Sequence, residues 1–280
     1  MRRAHPMSNY KIACHTQMWN DEALPKIIEV SAELDFQGIE AKRFSENDGR
    51  LFENVREALK IHSMQWIALG GGGDFVIAEN REDILRENMR IAALSQKFGA
   101  AFLVIETGRR EIVNTIRQDF KVAAETLNEL GKRCTNYDLC ACIHPHIGHR
   151  IETEEDIDRI LNLVDTREVF LCLDVGHLAA AGYDPVHIFK TYGSCVRHVH
   201  FQDAASLVQK HENQSNFCAL GQGIVDFPRI LEVMNEQQYD GWITIDYDET
   251  PDDPEEFIQS SKQYLNHLLS VQKEQNPELQ

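Results

Sequence analysis

The 280-residue chain lacks what several protein classes require. It has no Cys-x-x-Cys pair, and its seven cysteines are an odd number in a chain too long to need covalent staples, which disfavours a zinc ribbon, a dithiol redox site and a disulfide scaffold. No apolar run reaches the length of a membrane span, and the first ten residues carry two arginines but no apolar stretch. We therefore read a cytoplasmic protein, with Met7 as an alternative start to Met1 that would leave Arg2 to Pro6 as an upstream extension. Basic residues are in deficit: 28 Lys+Arg against 45 Asp+Glu leave a net charge of −17 with His neutral, and no compact basic cluster offsets it. Such a balance repels phosphate backbones and anionic lipid, so nucleic acid and membranes are poor partners.

What is present is a globular composition, 42% hydrophobic and 26% charged, with enough apolar residues for a sizeable core. Short β-rich segments alternate with helical patterns along the whole length. The predicted strands are Tyr10–Met18, Gly38–Lys42, Met64–Leu69, Ala101–Glu106, Leu139–His144, Val169–Asp174, Val196–Phe201 and Trp242–Tyr247. Between them, Ile157, Ile160, Leu161 and Val164 fall at helical spacing, as do Phe227, Ile230, Leu231 and Met234. Thr153 with Asp156, and Asp184 followed by Pro185, are helix-start signals. Eight strand–helix units without a Pro/Gly/Ser-rich linker, and without a glycine fingerprint after the first strand, predict an α/β fold, one closed (β/α)8 TIM barrel over 1–280. Residues 1–9 and about 273–280 are read as flexible tails. Cys140, Cys142 and Cys172 fall in strand-like runs, where a reduced thiol packs as a small hydrophobe.

In such a barrel the chemistry lies at the C-terminal strand ends. Strands one to four offer His15, Glu40 and Glu106 there, whereas strands five to eight offer His144 and His146, Asp174 and His177, His198 and His200 with Asp203, then Asp246 and Asp248. Side chains two apart on a strand point the same way, so His144 and His146, or Asp246 and Asp248, can share a face. Imidazoles and carboxylates converging from four strands form a mixed N/O site suited to Mn²⁺, Co²⁺, Zn²⁺ or Fe²⁺, while Mg²⁺ would prefer more oxygen.

These residues carry a resemblance. Leu171-Cys-Leu-Asp174-Val-Gly-His177 resembles the D-x-G-H strand end of the xylose-isomerase-like barrels, the sugar phosphate isomerase/epimerase superfamily, and the match continues in order. Arg197-His-Val-His200-Phe-Gln-Asp203 resembles the H-x-H-x-K-D strand, Gly221-Gln-Gly223-Ile-Val-Asp226-Phe the G-x-G-x-x-D-F turn, and Tyr239-Asp-Gly-Trp242-Ile-Thr-Ile-Asp246 the final strand. The resemblance implies metal ligands at His144, Asp174, His200 and Asp246, with manganese the first choice of ion. His144 and Asp246 stand where that pattern has glutamates, and Gln202 where it has lysine. His144-Pro145-His146, with Ile147-Gly148 and Glu152-Thr153-Glu154 following, is similar to the inosose dehydratase branch.

Other features have plainer readings. The Gly70–Gly73 run, with no Lys-Ser/Thr after it, is read as a flexible connection, and Gly221-Gln222-Gly223 as too little for a nicotinamide site. Trp19 and Trp66 are split between sugar stacking and packing; Arg109 and Arg110 are read as a solvated loop pair in preference to ligands of an anionic substrate group. Asp252-Asp253 and Glu255-Glu256 are assigned to the start of the last helix.

The resulting expectation is a metal-dependent enzyme acting on a small polyhydroxylated ketone, a sugar or cyclitol. Metal-assisted loss of a proton beside the carbonyl would be followed by dehydration or by isomerisation. His146, His177, Glu106 and Asp246 are the candidate general bases, and 2-keto-myo-inositol the best substrate guess. A ketose/aldose isomerase or epimerase is the alternative; an apurinic-site endonuclease, disfavoured by the acidic charge, and a noncatalytic sugar-binding barrel rank lower. Assembly of copies into a homo-oligomer is left open.

Overall fold

A computed structural model describes residues 10–44, 49–110, 117–208 and 217–275. Strands β1 (Lys11–His15), β2 (Gly38–Ala41), β3 (Gln65–Gly72), β4 (Phe102–Glu106), β5 (Cys140–Ile143), β6 (Val169–Asp174) and β7 (Val196–Phe201) are followed by a short pair, β8 (Asp203–Ala204) and β9 (Phe217–Cys218), and by β10 (Trp242–Ile245). The seven long strands and β10 close in the order β1-β10-β7-β6-β5-β4-β3-β2, every neighbour parallel; β8 and β9 form an antiparallel ladder outside the barrel. Helices α1 (Leu24–Glu33), α2 (Gly49–Ile61), α3 (Arg81–Phe98), α4 (Arg117–Cys134), α5 (Glu154–Leu161), α6 (Val175–Ala180), α7 (Pro185–Tyr192), α8 (Phe227–Glu236) and α9 (Pro254–Gln275) follow the strands in turn.

Alternation sorts each strand into an outward row beneath the helices and an inward row. Ala13, Phe102, Val104, Cys142, Cys172 and Trp242 make a separate small core distinct from the large strand–helix core. Thr153 and Asp156 form the expected capping box on α5, and Asp184 caps α7 with Pro185 behind it. Asp253 accepts the amides of Glu255 and Glu256 at 3.1 and 3.0 Å, so the acidic run does begin the last helix. The Gly221–Phe227 turn is likewise structural: Asp203 gathers the amides of Gly221, Gly223 and Val225, and Asp226 caps α8. Among the described residues, no helix is long and apolar enough to cross a membrane.

Several expectations need correction. Helix α9 continues to Gln275, so 273–275 are helical, while the rest of the expected tails, 1–9 and 276–280, lies outside the described residues. Strand β1 stops at His15, because Trp19 N–H bonds Thr16 O in a turn. Gly70, Gly71 and Gly72 are strand rather than connection, in register with Val104, Ile105 and Glu106. Glycine is needed there for close approach: a Cβ at Gly70 would lie 2.4 Å from Lys42 O, and one at Gly72, whose φ is 153°, 2.5 Å from Glu106 O. Since backbone carbonyls cannot swing aside as a side chain can, Gly72→Ala is expected to cost about 3 kcal/mol. The check is the denaturant midpoint, which should fall at unchanged slope.

Candidate active site

The strand ends place His15, Glu40, Glu106, His144, Asp174, His200 and Asp246 around the barrel mouth. Donor atoms of Asp174, His200 and Asp246 lie within 4.8 Å of one another, and all three residues are buried. Each is anchored to the protein through one atom and brings a second toward the others. Asp174 Oδ1 accepts the His177 amide at 2.8 Å, starting α6. Asp246 Oδ1 accepts from Gln17 Nε2 at 2.8 Å and from the Tyr247 amide at 2.7 Å. His200 Nε2 lies 3.0 Å from Glu40 Oε1. Its Nδ1 makes no hydrogen bond, although Asp246 Oδ2 is 3.1 Å and Asp174 Oδ2 3.9 Å away.

Glu40 determines what that orphaned nitrogen is. Burial alone would raise its pKa, but the His200 and His198 imidazoles hold it well below the ordinary carboxylate value. Glu40 is therefore an acceptor, taking Nε2–H from His200, Nε2–H from His198 at 2.7 Å and the Thr244 hydroxyl at 2.9 Å. With Glu40 accepting at Nε2, Nδ1 is the His200 nitrogen turned toward two carboxylate oxygens, and a divalent cation placed among them would take its lone pair. The donors fit a metal ion on this geometry.

His144 joins two adjoining triplets, one with Cys172 and His200 and one with His146 and His177. Burial, then the neighbouring His200, His146 and His177, push its pKa well below that of free imidazole, and its buried Nδ1 has no hydrogen-bond partner. Gln202, at the position of the motif's lysine, is fully buried. With its amide oriented to suit both neighbours, it donates to Asp174 Oδ2 at 3.2 Å and accepts from the Asp248 amide at 3.0 Å.

A second cluster stands beside the first. His177 Nε2 and His146 Nε2 converge on one oxygen, Asp248 Oδ2, at 2.9 and 3.3 Å. Burial would raise the Asp248 pKa, but His177 and His146 draw it well below the carboxylate range. Burial would lower that of His177, but Asp174 and Asp248 raise it above the imidazole value. His146 Nδ1 lies 2.7 Å from the Ile147 carbonyl, which can only accept, so Nε2 is the nitrogen free to exchange a proton. His149 stacks on His146 at 4.3 Å.

Beside the second cluster opens a cleft of about 1000 Å³, walled on one side by Gly70–Gly73 and reaching His146, His149 and Asp248. Glu106 lines it but is ion-paired to Lys42 at 2.7 Å; against burial, that ammonium lowers its pKa. Trp66 takes no part: it is buried at the start of β3, stacked on Phe98 at 4.3 Å with Nε1–H donated to Ala68 O. Trp19 packs against the core. Arg110 is no solvated loop residue, because it pairs with Asp156 and lies 3.5 Å from Glu152. Glu40 and Asp248 were legible only as polar strand ends without a role. Gln17, which ties Asp246 to Asp248 through bonds of 2.8 and 3.0 Å, carried no sequence signal.

Relatives and solved structures agree with this architecture. An inosose dehydratase of Clostridium botulinum (strain Eklund 17B / Type B) is 22% identical over 284 residues, covering 90% of this chain and 95% of that one. The structure of IolI protein with a bound zinc atom superposes with a TM-score of 0.78 at 18% identity, covering 93% of this chain and 98% of that one. The probable 3-DHS dehydratase AsbF of Bacillus anthracis gives 0.77 at 15% identity, over 91% and 98% of the two chains. The family model described as xylose isomerase-like TIM barrel matches residues 28–268, from within α1 to within α9, and the chain belongs to that family.

Proposed function

We propose that this chain is a divalent-metal-dependent lyase that dehydrates a small polyhydroxylated ketone, 2-keto-myo-inositol or a related keto-sugar. The observation that carries the reading is the convergence of His146 and His177 on Asp248 Oδ2 beside the inward-facing donors of Asp174, His200 and Asp246. Relatives named inosose dehydratase support it, and a structural neighbour with a bound zinc atom supports a metal in a barrel of this fold. Asp174, His200 and Asp246, with His144 beside them, would hold the ion; mixed N/O donors suit Mn²⁺, our first choice, and equally Co²⁺, Zn²⁺ or Fe²⁺. When bound, such an ion supplies Lewis acidity that makes the C–H beside a ketone more acidic.

The protein's own groups then account for the proton traffic. His146 Nε2 takes the proton from the carbon next to the ketone. His177 gives a proton to the hydroxyl on the following carbon, which leaves as water while the released C–H pair becomes the new C=C bond. Asp248 Oδ2, shared by both imidazoles, orients the pair and passes the proton from His146 back to His177, restoring the start. Asp246 accepts from Gln17 through Oδ1 and turns Oδ2 toward the other metal donors, and Glu106 is paired with Lys42, so the capable bases lie in one cluster. That asymmetry favours elimination over two-base epimerisation. Ketose isomerisation or epimerisation is the second reading, because Glu106 shares a small cavity with His146.

Incubation with 2-keto-myo-inositol and a panel of ketoses in D₂O separates the two. Elimination is expected to produce a conjugated product with new ultraviolet absorbance. Metal-dependent deuterium exchange with epimer interconversion, and no new absorbance, would replace dehydration by epimerisation. Glu40→Gln tests the ligand geometry: an amide can donate to His200 Nε2 and reverse its tautomer, so chelator competition should show metal affinity lower by about 10–100-fold. An unchanged affinity would mean that Glu40 does not orient His200.

A further inference from the structure

We infer that, within the keto-sugar class proposed above, the substrate is an anionic member rather than neutral 2-keto-myo-inositol, its carboxylate or phosphate bound by Arg43 and Arg109 at the rim of the cleft; this rests on reading that cleft as the substrate site. The chain bears a net charge of −17, yet Lys42, Arg43, Arg90 and Arg109 all line this one cavity. Lys42 is committed to Glu106 at 2.7 Å and Arg90 to Glu87 at 2.9 Å. Just behind the rim, Arg110 is taken up by Asp156, and Arg150 by Asp74 at 3.1 Å. Arg43 and Arg109 are exposed and, among the described residues, have no carboxylate within ion-pair distance.

The cavity's acids do not answer them. Glu106 and Glu87 have the partners just named, and Asp248 holds His146 and His177, which among the described residues leaves Asp21 as the one lining carboxylate without a cation. Two guanidiniums facing one cavity repel each other until an anion lies between them, and the planar fork matches carboxylate and phosphate oxygens in two-point geometry. Arg109 is also well founded. Its backbone bridges His149, while Arg110 N–H bonds Gly148 O at 2.7 Å and Arg150 N–H bonds Gly108 O at 2.9 Å, pinning the segment to the turn that carries His146. The cleft of about 1000 Å³ exceeds what a single six-membered polyol fills, so an anionic substituent can reach the rim while the ring sits by His146 and Asp248.

Calorimetric titration of the metal-loaded full chain at low salt with glucose, glucuronate and glucose 6-phosphate tests this without turnover. At least one anionic sugar is expected to bind about tenfold more tightly than glucose. Preference for glucuronate would identify a carboxylate and preference for glucose 6-phosphate a phosphate. The paired substitution Arg43→Gln with Arg109→Gln should abolish the preference while the metal content stays the same. Anionic sugars binding no more tightly than glucose, or a preference that survives the paired substitution, would overturn the inference. Failure of the dehydration reading shows separately, as missing ultraviolet absorbance in the turnover assay.

Discussion

Asp174→Asn is expected to strip the protein of its ion and to lower turnover by about 10³-fold or more, the several kcal/mol that a Lewis acid contributes, at about 1.4 kcal/mol per tenfold. The substitution is selective. Asparagine is as good a helix cap as aspartate, so it can still accept the His177 amide that Asp174 Oδ1 takes at 2.8 Å, and the start of α6 survives. The second oxygen becomes an NH₂ group that donates instead of ligating. Elemental analysis of protein purified from metal-supplemented medium, with circular dichroism as the control for folding, gives the answer. Retained metal and unchanged turnover would remove Asp174 from the centre and the metal from the mechanism.

His146→Gln should lower kcat by about 10²–10⁴-fold while leaving metal content and KM near those of the parent, because a glutamine fills similar space but cannot carry the proton. His146 groups with His144 and His177 rather than with Asp174, His200 and Asp246: its ring centroid lies 5.5 Å from that of His144 and 3.7 Å from that of His177. A variant that loses kcat and metal together would show His146 to be a ligand. Partial recovery of kcat with added imidazole in His146→Ala, which leaves the ring's space open, would support the proton-transfer role.

Much of the barrel was legible because its signals are local. Val169–Asp174 and Val196–Phe201 begin and end where the β-rich runs and their flanking polar residues place them. The caps at Thr153, Asp184 and Asp253 follow from side chains that reach amides two or three residues on. The Gly70–Gly73 run misled because glycine's usual meaning is a turn, whereas here it admits the Lys42 and Glu106 carbonyls against the strand. Trp66 misled because proximity to a strand along the chain does not say which end, or which face, a ring occupies; Phe44 and Phe98 enclose it.

The sequence by itself determined the strand–helix rhythm and the stock of imidazoles and carboxylates at the strand ends, since strand and helix periodicities are written residue by residue. Which atom of each residue stays free was decided only by barrel closure. Glu40 meets His198 across 158 positions of chain and His200 across 160, and Gln17 meets Asp246 across 229. Those contacts assign the His200 proton, occupy one Asp246 oxygen and leave His200 Nδ1 unpaired. Lys42 neutralises Glu106 while Asp248 gathers His146 and His177, so the cleft acquires its capable bases from one cluster. Protonation and ligation depend on charges and hydrogen-bond partners within a few ångströms, and in a closed barrel those partners come from strands far apart in the chain.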